Sequence, residues 1–320
     1  MTPEIRRMVR QLPGDPGVYR FRDARGRVLY LGRATQLRSR VGSYWSDLGD
    51  RRHLRPMVAA VTRIEAVACD SVHEATWLER NLLEASMPRW NRVPGGMETP
   101  VLIRLDTRPG RPGPRLAYAA EPVPPGVTEF GPYLGSQRVR QALSGLHRVR
   151  PLAYTADRLS GAEAAMADQR GVGPADRSRL AAELTAVLTR DPGAVSAAHA
   201  DLVRVRDRAA GNLAYELAAE VQEEIAALDW ITQPQRVTGA AGDFTACGWD
   251  GGVLVTLTVR NGRIRQWTQR RVSERGAHPH LTATPADWAA YAHRAARLAA
   301  ALVPPDEHVC ENSGDVKGNL

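Results

Sequence analysis

The chain has 320 residues, enough for two or more domains with separate cores. Its formal net charge is +8 and its pI about 9.9, a balance that suits a polyanionic partner. Three scattered cysteines, Cys69, Cys247 and Cys310, exclude a disulfide framework and have no zinc spacing. No secretory leader and no apolar run of bilayer length is present, so a cytoplasmic protein without a membrane partner is expected. The basic residues are arginine except for Lys317, and a compositional arginine bias would also raise the charge. Arginine is concentrated near the N-terminus, where only Glu4, Asp15 and Asp23 oppose it in the first forty residues, which favours a partner.

In chain order, Gly17-Val18-Tyr19-Arg20-Phe21 alternates at period two, and Val28-Leu29-Tyr30-Leu31 is a short apolar run. With Asp23-Ala24-Arg25-Gly26 between them they predict a β-hairpin with a longer than minimal loop, the second strand ending at Gly32. Residues 36–44 predict a helix carrying Arg38 and Arg40. A polar loop through His53 follows, where a phosphate contact or a catalytic role for His53 competes with a merely exposed position. Residues 55–61 predict a short helix and 63–68 a third strand. Ser71-Val72-His73-Glu74 reads as a capping box opening a helix to about Ser86. On that helix Ala75, Leu82, Leu83 and Ser86 share a side with Glu79. A carboxylate there is costly to bury unless a cation or donor meets it. The pattern leaves open an edge position paired with a surface arginine or a functional carboxylate.

Residues 93–128 are rich in Pro and Gly, with strand candidates at 101–105 and 115–119. Residues 138–150, 177–190 and 196–230 read as helical, the last broken near Gly211-Asn212 into a helical hairpin. Leu213, Leu217, Val221, Ile225 and Leu228 form one stripe on its second arm. Two strand-like runs, 252–259 and 264–272, flank Asn261-Gly262, a strong tight-turn signal. An alanine-rich helix over 285–303 closes the pattern, and the polar tail 310–320 is expected to be disordered.

Gly17-Val18-Tyr19 with Tyr30-Leu31-Gly32 resembles the GIY-YIG nuclease signature. The flanking words Leu12-Pro13, Pro16, Arg33-Ala34 and Leu37-Arg38-x-Arg40-Val41-x-Ser43-Tyr44 are similar to the N-terminal nuclease of the UvrC family. The resemblance is good over 12–155 and weak over 200–272, and the layout is like that of the single-nuclease Cho type. It finds no counterpart of the second, RNase H-like nuclease or of the helix-hairpin-helix tandem. It implies an α+β protein: a GIY-YIG domain at 12–92 with a three-stranded antiparallel sheet flanked by helices, a β-containing connector at 93–155, a helical region with a UVR-like hairpin at 156–235, and a C-terminal β-hairpin plus helix at 236–309.

The function implied is metal-dependent hydrolysis of one strand of distorted or damaged DNA, in nucleotide excision repair or a related pathway. By the same resemblance, Glu79 holds one Mg²⁺ or Mn²⁺, Tyr30 is the general base, Tyr19 orients it, Arg40 binds the scissile phosphate, and Asn91 fixes a backbone or ligand group. Arg33 stands where such sites usually carry lysine; it keeps the charge but is bulkier and a poor proton donor. A free tyrosine titrates near ~10, so Tyr30 as base requires a neighbouring positive charge. The iron–sulfur site often found in the family is not expected, since 150–176 contains no cysteine. A UvrB-like helicase is the implied partner for 213–228, although Gln222-Glu223 replaces the usual Arg-Asp, and an ordinary helical hairpin remains open. The competing functions are a nuclease-like module that binds DNA or the helicase without cutting, and a nuclease unconnected with excision repair.

Overall fold

The computed structural model describes residues 1–46, 48–91, 99–118, 122–239 and 241–303. In chain order its elements are α1 (Pro3–Gln11), β1 (Gly17–Arg22), β2 (Val28–Ala34), α2 (Leu37–Gly42), α3 (Arg55–Ala60), β3 (Arg63–Ala68), α4 (Val72–Ala85), β4 (Val101–Asp106), β5 (Gly113–Tyr118), β6 (Val127–Tyr133), α5 (Ser136–Val149), α6 (Gly161–Arg170), α7 (Arg177–Leu188), α8 (Pro192–Gly211), α9 (Tyr215–Thr232), β7 (Phe244–Asp250), β8 (Val253–Arg260), β9 (Arg263–Arg271), α10 (Glu274–Thr282) and α11 (Ala286–Leu302). The fold is α+β. The chain divides into two units, one of residues 1–95 with 240–320 and one of residues 96–239. The expected tail, 310–320, lies outside the described residues. Among those residues no helix is long and apolar enough to cross a membrane.

The first unit contains two antiparallel sheets, ordered β2-β1-β3 and β7-β8-β9. The β1–β2 turn forms because Gly26 supplies a positive φ of 73° and the Asp23 carboxylate accepts from the Arg25 and Arg27 amides. The second hairpin turns on Asn261 and Gly262, both at positive φ, as its dipeptide predicts. Strand β2 does not end at Gly32. It runs on to Ala34, with Gly32 paired opposite Tyr19.

Alternation along β1 suggests one buried face, but five of its six residues are buried. The second face is covered by the C-terminal segment. Arg20, 6% exposed, donates from Nε to Glu65 on β3 and from Nη1 to the Trp267 carbonyl on β9 at 2.6 Å. Its guanidinium stacks 4.0 Å from the Trp267 ring centroid. Arg22 and Arg63 also approach Glu65, at 2.9 and 3.4 Å. Arg20 and Arg22 outweigh the cost of burying Glu65 and hold its carboxyl below the ordinary range, while burial lowers Arg20 to about 10.

Helix α4 packs against β2 and β1 on one side and β9 on the other. Its apolar surface is therefore wider than the predicted stripe, with Trp77 and Leu78 buried as well. Only half of the expected capping box forms. Ser71 Oγ accepts from the Glu74 amide, but the Glu74 carboxylate accepts from Asp70 N at 2.6 Å. Helix α11 lies directly on β7: a Cβ at Gly248 would sit 1.9 Å from the Ala292 carbonyl oxygen. Small buried residues, Ala292, Ala295, Ala296 and Ala299, permit that approach. Leu298 and Leu302 join the core that also holds Ile5, Met8 and Phe21.

In the second unit, the sheet β5-β4-β6 and helices α5, α7, α8 and α9 enclose a core including Ile103, Leu105, Leu146, Leu202 and Leu228. The α8–α9 pair is the predicted helical hairpin, but its stripe is not uniformly buried: Val221, Ile225 and Leu228 are inside, while Leu213 and Leu217 are exposed. Glu224 ties α9 to α5 by accepting from Ser144 and Arg148. Asp106, at the end of β4, accepts from Arg108 and Arg115, and these bonds hold its carboxyl at about 2.

Two outcomes follow from these buried charges. Glu65→Gln leaves three arginines without their acid and should cost on the order of 3–5 kcal/mol in urea denaturation; an unchanged midpoint would contradict the pairing. Asp106 is depressed in the folded state, so its contribution is complete above the ordinary carboxylate pKa of ~3.9 and is lost as pH falls through about 2. Thermal melts between those limits should lose stability in the wild type and show a shallower pH dependence in Asp106→Asn.

Candidate active site

The two signature glycines are explained by close approach. A Cβ at Gly17 would lie 2.4 Å from the Val67 carbonyl oxygen on β3 and 2.7 Å from Leu37 Cδ1 on α2. At Gly32 a Cβ would lie 2.6 Å from Tyr19 Oη and 2.8 Å from Tyr30 Cε1. Gly32 therefore leaves the space that the two phenols occupy.

Tyr19, Tyr30 and Tyr44 form a triangle, with centroids 6.3 Å apart for Tyr19–Tyr30 and 6.0 Å for each of the other pairs. The hydroxyls of Tyr19 and Tyr44 are hydrogen-bonded at 2.8 Å, and the Tyr30 ring packs edge-on against Tyr44. Arg40 and Arg51 lie over the Tyr44 ring at 5.7 and 4.6 Å. Tyr44 was not among the residues singled out from sequence. The available signal was its spacing: it follows Arg40 by four positions, one helical turn.

Tyr19, Tyr30, Arg33, Arg40 and Glu79 line one pocket of about 390 Å³, joined by Thr35. Glu79 enters from α4 and Arg40 from α2, while the tyrosines and Arg33 come from the hairpin. Arg33 Nε stands 3.5 Å from Glu79 Oε2, so the arginine in the lysine-like position already faces the carboxylate. Asn91 does not line the pocket. Its Oδ1 accepts from Leu31 N at 3.0 Å and its Nδ2 donates to Leu31 O at 2.7 Å, clipping the edge strand beside Tyr30. Arg38 turns away to donate to the Leu12 carbonyl. His53 is exposed and is not among the pocket residues.

Burial is the first cause that raises the Tyr19 and Tyr30 phenols above their ordinary range. The tyrosines' mutual repulsion adds to it, and Glu79 raises Tyr30 further. Arg40 pulls both down, but less strongly. Burial works against the charge of Arg40, yet the phenols raise its pKa. The expected acidification of Tyr30 is therefore not supplied by these protein groups, which leave the phenol protonated at neutral pH.

Residues 15–92 match the family described as the UvrC-like GIY-YIG domain. That segment is a GIY-YIG domain, on an antiparallel sheet with flanking helices. Over most of its length the chain is similar to proteins named UvrABC system protein C. It is 30% identical to the protein of that name from Trichlorobacter lovleyi over 274 residues, covering 82% of this chain and 45% of the relative. With the protein of the same name from Mycobacterium leprae it is 32% identical over 276 residues, covering 79% and 42%. The chain thus spans less than half the length of these curated relatives. The magnesium-bound GIY-YIG N-terminal endonuclease domain of UvrC from Thermotoga maritima is 28% identical, aligning over 28% of this chain and 99% of that one with a TM-score of 0.26.

Gly32→Ala should disturb the pocket while leaving the rest of the unit folded. The expected outcome is a change in tyrosine near-ultraviolet dichroism with a melting loss corresponding to about 1–3 kcal/mol. An unchanged tyrosine signal would contradict the close approach.

Proposed function

We propose that this chain is a metal-dependent DNA endonuclease that hydrolyses one strand of distorted or damaged duplex in nucleotide excision repair or a related repair pathway. The observation that carries this reading is the convergence of Tyr19, Tyr30, Arg33, Arg40 and Glu79 on one pocket. The UvrC-like domain match over 15–92 supports it.

Glu79 would hold a single Mg²⁺ or Mn²⁺. Magnesium commonly takes one or two protein carboxylates and keeps several waters beside substrate phosphate, so one carboxylate on an open pocket fits it. Among the described residues no group of three or more His, Cys, Asp or Glu offers a cage made wholly of protein. When bound, the ion supplies positive charge that relieves the phosphate and favours phenolate.

Arg40 binds the scissile phosphate through its guanidinium fork. Once ionised, Tyr30 would accept the proton of the attacking water while the water oxygen bonds to phosphorus and the leaving oxygen departs with the electron pair of the broken P–O bond. Tyr19 and Tyr44 fix the phenol network around Tyr30. Asn91 acts as a positioning residue by holding β2.

One observation favours a second reading, a nuclease-like module that binds DNA without efficient cutting: Arg33 occupies Glu79. A helicase-like partner at the α8–α9 hairpin is supported by Leu213 and Tyr215, 71% and 66% exposed at its tip. Val221 and Leu228 are buried inside the unit, which confines that surface to 213–217.

Nicking of supercoiled plasmid in Mg²⁺ or Mn²⁺ tests the assignment. Glu79→Ala and Tyr30→Phe should each slow nicking by about 100-fold or more. Equal nicking by wild type and both variants would refute the site. A wild type that binds DNA but does not nick, with activity gained in Arg33→Lys, would establish the second reading.

A further inference from the structure

A cleft in the second unit shares no lining residue with the tyrosine pocket. It encloses about 850 Å³ between the β4–β5 loop, the end of α5 and the segment leading into α6. Four arginines line it: Arg108, Arg111, Arg115 and Arg158. Two acids share it, and both are engaged. Asp106 is fully buried and accepts from Arg108 Nε and Nη2 and from Arg115 Nη1. Glu163 caps α6 through the Ser160 amide. Arg111 and Arg158 are exposed, and among the described residues neither pairs with an acid.

We propose that this cleft is a second nucleic-acid contact, in which Arg111 and Arg158 bind backbone phosphates of a DNA strand and Asp106 holds Arg108 and Arg115 in place beside them. The proposal rests on the DNA-acting reading of the chain but not on the chemistry of the tyrosine pocket. Four formal positive charges face two acids, of which Asp106 has both oxygens bound to Arg108 and Arg115, so the cleft has an excess of positive charge. Guanidinium forks match phosphate oxygens in geometry as well as charge. Asp106 takes two N–H groups of Arg108 and one of Arg115, leaving other donors on both. The buried acid thus orders two long side chains before an anion arrives, lowering the conformational cost of binding. The cleft is open and polar at its rim, and Gly110 and Gly113 in its wall add little side-chain bulk. Inorganic phosphate shares the same chemistry, and the experiment separates it from a strand.

The test measures binding of a labelled DNA duplex by the full chain in a Glu79→Ala background, with and without Arg111→Glu plus Arg158→Glu. Both arginines are exposed, so folding should survive, and Arg111→Gln plus Arg158→Gln gives a milder second pair. Loss of two phosphate contacts should weaken binding on the order of tenfold and reduce the slope of log affinity against log salt by roughly 2. Unchanged affinity and slope in both pairs would overturn the proposal. Calorimetric titration with inorganic phosphate is the second arm. Saturable uptake that the double variant loses, with DNA affinity unchanged, would assign the cleft to a free anion and also overturn it. The catalytic reading fails separately: it falls if Glu79→Ala still nicks, whether or not the salt slope changes.

Discussion

The first unit depends on the burial of one ion cluster. Arg20 projects from the central strand of the N-terminal sheet, meets Glu65 on β3, and reaches across to Trp267 on β9. A guanidinium and a carboxylate removed from water repay their desolvation only when well paired. Here Arg22 and Arg63 reinforce the pair, and the indole ring and its backbone carbonyl complete the surroundings of Arg20. Chain ends more than two hundred positions apart are thereby joined in one unit. Helix α4, which carries Glu79, is held between the sheets, and its outer end is tied by Glu84 to Arg263 and Arg265. The carboxylate of the pocket is thus positioned from both sides.

On the opposite side of β1 the constraint is steric. Tyr19 and Tyr30 crowd the space that Gly32 leaves open, and the Tyr19 hydroxyl finds its partner in the Tyr44 hydroxyl. This packing raises the proton affinity of Tyr19 and Tyr30, with Arg40 as the opposing charge. The site is therefore preorganised but closed to ionisation by its own burial. In the proposed mechanism an added cation is what lets Tyr30 act as a base, and Glu79 is the carboxylate proposed to hold it.

Much of the first unit could be read from local sequence. The period-two run at 17–21, the Asn261-Gly262 turn and the Ser71 cap each specify short-range geometry, and the structure follows them. The site tyrosines, Arg33, Arg40 and Glu79 were legible because a signature fixes their spacing, and the structure brings them to one pocket. Helices α1, α6 and α10 and strands β6 and β7 were not read. In α1 the signal is present, with Thr2-Pro3 opening the helix and Ile5, Met8, Val9 and Leu12 at helical spacing; in the other segments Gly, Pro or charge interrupts the apolar residues. The covering of β1 by β9 is a long-range contact that alternation along β1 could not reveal. On that face Arg20 is buried against Trp267 of β9. Tyr44 was within view but unassigned; its spacing from Arg40 brings it near the site, while its contacts there are ring packing and a hydrogen bond to Tyr19.

The central claim, that Glu79 and the phenols surround one divalent ion, is tested most directly by Mn²⁺ binding followed by electron paramagnetic resonance. The protein would carry Tyr30→Phe, to prevent cutting, and be bound to duplex DNA. The account predicts uptake of one ion per chain that is abolished when Glu79→Gln is added. Equal uptake with and without Glu79 would contradict it.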